Sequence, residues 1–99
     1  MGHEAGSRRP AVVVSDDAIN AGPAGVVILV PVTSRHRGLP VHIEIEPGES
    51  GFDAVSYARC EDVRSLSDVR LVARAGRVSI DAMFDIERVL GWALGLPNP

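Results

Sequence analysis

Short runs of apolar residues are separated by polar turns along the chain, and this pattern predicts a series of strands. After an opening loop at residues 1–7, the β-branched run at residues 10–15 is apolar at successive positions and predicts a strand buried on both faces. The longer run at residues 26–33 predicts a second central strand. Proline has no amide hydrogen to donate, so we expect Pro31 at a bulge or an edge position.

Turns and further extended segments fill the middle of the chain. Residues 18–25 contain Asn, Gly and Pro and are expected to form a turn-rich connection. Apolar and polar residues alternate over residues 41–46, which predicts a half-exposed strand with an acidic outer face. A Pro-Gly turn at residues 47–51 leads to extended structure over residues 55–63, and a last short strand is expected near residues 76–78.

Helical spacing appears near the end of the chain. Ser79 and Asp81 form an N-cap with a first-turn acid, and Gly95 is expected to end the helix. Four apolar residues recur on one face: Met83, Ile86, Leu90 and Leu94. Phe84 and Trp92 fall on the other face. We therefore expect one face of the helix to pack on the sheet and part of the opposite face to contact a partner. Together these elements predict an α+β fold: a strongly bent antiparallel sheet or partly open barrel capped by a helix.

Length and composition describe a small single domain. The chain has 99 residues, of which 45% are apolar, so we expect one domain over residues 1–99. A chain of this size buries only roughly 60–65% of its unfolded surface, which favours a dimer.

Its longest apolar run, residues 26–32, is far shorter than the roughly 20 residues of a membrane-spanning helix, so we expect a cytoplasmic protein with no membrane contact. The single cysteine, Cys60, excludes an internal disulfide, and we expect it to be a buried apolar residue rather than a nucleophile.

The charge pattern leaves two interpretations open. The net charge is −3, which is not typical of a nucleic-acid binder, yet all ten basic residues are arginine. The planar guanidinium group is well suited to binding phosphate. Four of the arginines lie near two predicted loops: Arg8, Arg9, Arg35 and Arg37. These side chains form a basic groove on an acidic body, or they only solvate the loops.

Four sequence strings resemble the MazF/PemK (Kid) toxin family. In order, they are G-H-E-A-G-S-R-R-P-A-V-V-V-S, V-P-V-T-S, L-P-V-H-I-E-I and R-C-E-D-V-R-S-L, and the match runs from about residue 2 to residue 96. The resemblance implies an SH3-like small barrel of the PemK/CcdB type that forms homodimers. It also implies the toxin of a type II toxin–antitoxin pair, which binds a cognate antitoxin and cleaves single-stranded RNA without metal or other cofactor.

The chain departs from the family pattern at three places. Family members usually begin with a strand of the pattern R-G-D-V-W-x-V-D-L, whereas this sequence opens with M-G-H-E, so we expect that strand to be missing. Asp16 stands where the family usually has Asn, and Glu61–Asp62 stands where Asp-Gln or Glu-Gln is usual.

The R-C-E string carries the candidate chemistry. Arg59 and Glu61 are two apart on a predicted strand, so both should project from one face while Cys60 points to the core. From the residues alone, the pair is either catalytic or an ion pair on a solvated face. The resemblance implies that Arg59 and Glu61 are the catalytic arginine and acid and that His3 assists them. We assign Glu61 as the general base, Arg59 as phosphate stabiliser or proton donor, and His3 as a helper that orients or protonates. A lone terminal His3 is equally typical of a surface residue.

Arg9 and Thr33 form a second candidate pair, each at a strand end. They match the family arginine of R-P-A/V and the threonine of P-V-T, which makes both candidate catalytic residues. A fixed arginine with a hydroxyl can bind a phosphate or a base edge. The alternatives are an ion pair between Arg9 and Asp16 and simple β-propensity at Thr33. Tyr57 is expected on the face of Arg59, as a platform for base stacking or as a core tyrosine. The expected RNA-binding residues are Arg8, Ser34, Arg35, Arg37 and Tyr57.

The proposed products of cleavage are a 2′,3′-cyclic phosphate and a 5′-hydroxyl. Two other functions compete with this one. A shortened relative that binds antitoxin or RNA without cutting is the first, and a CcdB-like gyrase poison is the second. The R-C-E string argues against the gyrase poison.

Overall fold

A computed structural model of the chain describes residues 9–67, 71 and 74–97, so the expected loop at residues 1–7 lies outside the described residues. Within these residues the chain forms the following elements in order: β1 (Ala11–Val13), α1 (Asp17–Asn20), β2 (Val26–Thr33), β3 (His42–Ile45), β4 (Ser56–Arg59), a 3-10 turn (Cys60–Asp62), β5 (Arg64–Ser67) and α2 (Ile80–Ala93). Neither helix has the length and apolar character needed to cross a membrane in this described part of the chain.

The strand β2 pairs along both of its edges and forms the centre of the sheet. On one edge β1 is antiparallel to it, with Ala11 opposite Pro31. On the other edge β5 is antiparallel to the first half of β2, and β4 is antiparallel to its end, with Thr33 opposite Tyr57. The strand β3 is antiparallel to β4, so the main path of the sheet is β1-β2-β4-β3. The predicted antiparallel α+β architecture is confirmed.

Pro31 lies where β2 changes partners. The amide of Val32 donates to the carbonyl of Pro10 on the β1 side (3.1 Å), so the nitrogen of Pro31 faces the opposite edge. On that edge the pairing with β5 ends at Leu29 and the pairing with β4 begins at Val32. The ladder therefore requires no hydrogen bond from Pro31, which is the edge-type position expected for proline.

The core lies between the sheet and α2. Its buried members come from the strands, the 3-10 turn and the helix: Val12, Val30, Ile45, Ala58, Cys60, Ile86 and Val89. The helix begins as predicted, because the Ser79 hydroxyl accepts a hydrogen bond from the amide of Ala82 at 3.0 Å. Phe84 and Trp92 lie on the outer face of α2 and are 64% and 72% exposed.

Three features of the helix and the first strands differ from expectation. Leu94 caps the end of α2 and is exposed, so it does not continue the buried stripe. The strand β1 is buried on one face only, because Val12 faces the core while Val13 points outward. The connection at residues 18–25 opens with the one-turn helix α1, whose first amides are capped by the Asp16 carboxylate (2.9 Å to the amide of Ala18).

The second half of the sheet also differs from expectation. The strand predicted near residues 76–78 is absent from the described structure there, and the amide of Arg77 instead donates to the carbonyl of Glu49 at 2.8 Å. The strand β5 was not predicted, because its sequence R-S-L-S has a single apolar residue, Leu66, and no apolar alternation. The extended segment predicted for residues 55–63 is interrupted by the 3-10 turn.

Candidate functional site

A polar groove of about 240 Å³ opens where β2 and β4 end and β3 begins. It is lined by Thr33, Arg35, Arg37, His42, Arg59 and Glu61. Three of these side chains carry guanidinium groups, while the carboxylate comes from the 3-10 turn and the imidazole from β3. The groove therefore combines a dense positive charge with a proton acceptor, as a site for a phosphodiester requires.

The 3-10 turn brings Glu61 to Arg59. The prediction that both residues share one face of a strand is wrong, because β4 ends at Arg59 and Glu61 lies in the turn that follows. The turn is closed by a hydrogen bond from the amide of Val63 to the carbonyl of Cys60 (3.3 Å). Nε of Arg59 still lies 4.0 Å from Oε2 of Glu61. The two side chains meet as expected, although the backbone that joins them is curved rather than extended.

Cys60 points into the core between these two residues, as the sequence predicted. It is 1% exposed, and burial together with the negative charge of Glu61 raises the pKa of its thiol to about 11. A thiol in this state is protonated at neutral pH and is not a nucleophile.

His42 is a member of the groove that the sequence analysis missed. Its alternating position in residues 41–46 placed it on an exposed acidic face, but its side chain is only 3% exposed. The register of β3 against β4 sets His42 opposite Arg59, and its Nε2 lies 3.0 Å from Oε2 of Glu61. An ionised carboxylate only accepts hydrogen bonds, so Nε2 carries the hydrogen and donates. The local pattern could not reveal this contact, since it depends on cross-strand register.

Several interactions act on the Glu61 carboxylate. Partial desolvation raises its pKa, but four effects outweigh it: the His42 hydrogen bond, the residue's own amide and the charges of His42 and Arg59. The pKa of Glu61 therefore lies below its ordinary value of 4.5. Glu61 is ionised at neutral pH and available to accept a proton.

Asp62 holds the outer side of the Arg59 guanidinium. Nη2 of Arg59 lies 2.6 Å from Oδ2 of Asp62, and Nη2 of Arg64 lies 3.1 Å from the same oxygen. Arg59 is thus held between the carboxylates of Asp62 and Glu61, which restricts its orientation.

The loop after β2 supplies further groove residues. The Thr33 hydroxyl oxygen accepts a hydrogen bond from the amide of Arg35 (3.1 Å), which leaves the hydroxyl hydrogen to donate. Thr33, Arg35 and Arg37 all line the groove. Ser34 lies between them and is exposed, but it does not line the groove.

Tyr57 and Arg9 do not line the groove, and two further predicted residues fall outside the described part of the chain. Tyr57 is half-buried on the same face of β4 as Arg59, as expected, and its ring centroid lies 5.1 Å from that of His36. Arg9 is exposed just before β1 and is not a lining residue. His3 and Arg8 lie outside the described residues.

The described residues also bear on metal binding. Among residues 9–67, 71 and 74–97, no group of three or more His, Cys, Asp or Glu side chains could hold a metal ion.

Comparison with known proteins identifies the family. A model of the PemK-like, MazF-like toxins of type II toxin-antitoxin systems matches residues 1–94. The chain belongs to this PemK/MazF family. Endoribonuclease MazF9 of Mycobacterium tuberculosis (strain ATCC 25618 / H37Rv) is 35% identical over 100 residues, covering 96% of this chain and 85% of the relative. The resemblance drawn from the four sequence strings is confirmed.

Solved structures support the same PemK/MazF assignment. A crystal structure of MazE-MazF (Form-I) from Deinococcus radiodurans has a TM-score of 0.77 and 31% identity, covering 90% of this chain and 84% of that chain. The Mycobacterium tuberculosis toxin MazF-mt6 has a TM-score of 0.80 at 18% identity, covering 91% of this chain and 89% of that chain, and shows the shared fold alone. The mostly antiparallel sheet with a C-terminal helix is therefore the PemK/MazF fold.

Proposed function

We propose that this chain is the toxin of a type II toxin–antitoxin system and cleaves single-stranded RNA in the arginine-lined groove without a metal ion. Membership of the PemK/MazF family and a relative named as an endoribonuclease support the activity. The observation that carries the residue assignment is the ionised Glu61 carboxylate, set between Arg59 and His42. A base beside a fixed cation is the arrangement that phosphodiester cleavage by a ribose hydroxyl needs.

In the proposed reaction, Glu61 accepts the proton of the ribose 2′-hydroxyl. The 2′-oxygen then forms a bond to phosphorus, and the bond from phosphorus to the 5′-oxygen breaks. The products are a 2′,3′-cyclic phosphate and a 5′-hydroxyl, whose oxygen takes up a proton. Arg59 stabilises the negative charge that builds on the non-bridging oxygens, since guanidinium remains protonated at neutral pH. We assign His3 to orient or protonate the leaving group.

The groove also provides contacts for the RNA chain. We assign the Thr33 hydroxyl, Arg35 and Arg37 to phosphate oxygens, because all three line the groove and can donate hydrogen bonds. Tyr57 offers a stacking surface for a base next to these contacts. The other proposed contacts are residues that do not line the groove or that fall outside the described residues: Arg9 as a second catalytic cation, and Ser34 and Arg8 as RNA-binding residues.

The proposal includes two protein partners. Deinococcus radiodurans MazF is named in a structure with MazE, and we propose that a cognate antitoxin binds this chain with an acidic segment that competes with RNA for the arginines. The exposed Phe84 and Trp92 on α2 are the proposed contact for a second copy of the chain, as a homodimer. We place the protein in the cytoplasm, with its RNA substrate.

The first test of this function is RNA cleavage in the presence of EDTA. The purified chain is incubated with a long unstructured RNA, and the cut ends are mapped by primer extension. We expect discrete cuts from the wild-type chain and none from Glu61→Gln or Arg59→Ala. Glu87→Gln on the exposed surface of α2 is the matched control and should cut normally. Intact RNA with a folded dimeric chain would instead favour a module that binds antitoxin or RNA without cutting.

A further inference from the structure

His42 has a burial and a hydrogen-bond pattern that packing alone does not explain. Its side chain is 3% exposed, whereas that of its partner Glu61 is 43% exposed. Within the described residues, Nδ1 of His42 is buried and has no hydrogen-bond partner. A buried nitrogen without a partner destabilises the fold, and an apolar side chain at this position of β3 would avoid that cost. The histidine therefore supplies something that an apolar residue would not.

What His42 supplies is a donor aimed at the carboxylate from within the sheet. Nε2 of His42 lies 3.0 Å from Oε2 of Glu61. Because β3 is paired with β4 at this point, His42 is held in place by the sheet, while Glu61 lies on a short exposed turn. The buried imidazole of the sheet thus holds the more exposed carboxylate of the turn. Neither this contact nor the approach of Arg59 involves Oε1 of Glu61.

We propose that His42 is the positioning residue for Glu61 in RNA cleavage: its Nε2–H holds Oε2 so that the carboxylate faces the groove beside Arg59. This inference rests on the proposed function and deepens it. His42 acts through Glu61 and forms no bond to the reacting atoms. Its role differs from that of the arginines, which contact the RNA phosphates directly.

The other groups around Glu61 show what the loss of His42 would change. Two groups contact the carboxylate, His42 from β3 and Arg59 from β4, and Asp62 follows it in the turn. Arg35 and Arg37 line the same groove from the loop after β2. Without His42, the carboxylate keeps the distant Arg59 contact at 4.0 Å and loses the closer hydrogen bond. Its pKa should then rise, and its orientation should become less restricted.

The experiment compares His42→Gln with His42→Asn. The amide of Gln reaches about as far as Nε2 of histidine and can still donate to Glu61, whereas the amide of Asn lies near the position of Nδ1 and cannot. We expect His42→Gln to keep most of the activity. We expect kcat of His42→Asn to fall roughly 10- to 100-fold with little change in KM, and the acid limb of its pH profile to move to higher pH.

A second readout does not depend on activity. The Glu61 carboxyl is titrated by NMR in the wild-type chain, His42→Gln and His42→Asn, and circular dichroism checks that each variant is folded. We expect a higher titration midpoint in His42→Asn alone. Unchanged kcat and an unmoved midpoint in that variant would overturn the role of His42. If Glu61→Gln cleaves as well as wild type, the proposed function's base is wrong, whereas an unmoved midpoint counts against His42 whether or not the chain cuts RNA.

Discussion

Arg59 lies closer to Asp62 than to Glu61: Nη2 of Arg59 is 2.6 Å from Oδ2 of Asp62, whereas its Nε is 4.0 Å from Oε2 of Glu61. The carboxylate of Asp62 also contacts Arg64, so it neutralises part of the positive charge at this end of the groove. Asp62 stands at a position where the family resemblance led us to expect glutamine. An RNA phosphate must therefore share Arg59 with a carboxylate that glutamine would not provide.

Asp62→Asn should strengthen RNA binding. The substitution removes a charge that competes with phosphate, while the remaining amide oxygen can still accept a hydrogen bond from Arg59. We expect the Kd for a short single-stranded RNA to fall about 3- to 10-fold. The measurement is fluorescence anisotropy on the Glu61→Gln background, which prevents cleavage. Asp85→Asn on α2 is the matched control, and weaker binding by Asp62→Asn would show that the carboxylate helps rather than competes.

Arg35 and Arg37 should each account for part of the salt dependence of RNA binding. A phosphate contact releases counterions from RNA, so removing one contact should reduce the slope of log K against log salt by about 0.7 for a single strand. We expect this change for Arg35→Ala and for Arg37→Ala, measured by anisotropy at several salt concentrations. Arg74→Ala, an exposed arginine outside the groove lining, should leave the slope unchanged. Equal slopes for all of these variants would remove the two arginines from the phosphate path.

The ionisation of Glu61 should make both activity and stability depend on acid pH. The pKa of Glu61 in the folded chain lies below 4.5, the ordinary value that we take for the unfolded chain. The ionised carboxylate therefore contributes its full stabilisation of the fold when the pH is above the unfolded-state pKa, and this stabilisation is lost as the pH falls through the folded-state pKa. We expect the difference in unfolding free energy between wild type and Glu61→Gln to shrink as pH falls below about 4.5, measured by urea denaturation. A difference that is constant from neutral pH to pH 3 would contradict a lowered pKa.

The Cys60 thiol should be almost unreactive in the folded chain. Burial and the Glu61 charge raise its pKa to about 11, compared with an ordinary value of 9.0. The thiolate fraction alone then slows labelling by a disulfide reagent at pH 8 on the order of 100-fold relative to the unfolded chain. The comparison is made with and without guanidinium chloride, and Cys60→Ala serves as the blank. Rapid labelling of the folded chain would show that the 3-10 turn opens readily.

Local sequence patterns determined much of this molecule. The long apolar run specified the central strand β2, and the Ser79 cap with the apolar spacing specified α2. The R-C-E spacing predicted that the side chains of Arg59 and Glu61 meet. These features could be predicted because each depends on residues that are near neighbours in the chain. The alternation of polar and apolar positions likewise placed Cys60 in the core.

Tertiary structure alone decided how the groove is assembled. His42 became a partner of Glu61 because the β3–β4 register sets it opposite Arg59, and no local periodicity encodes which residues of two strands face each other. The curved turn that carries Glu61 was also hidden, since a short 3-10 turn leaves no pattern distinct from a strand. Charge pairing followed the same rule: the carboxylate of Asp62 engages Arg59 only because that turn folds it back over the end of β4.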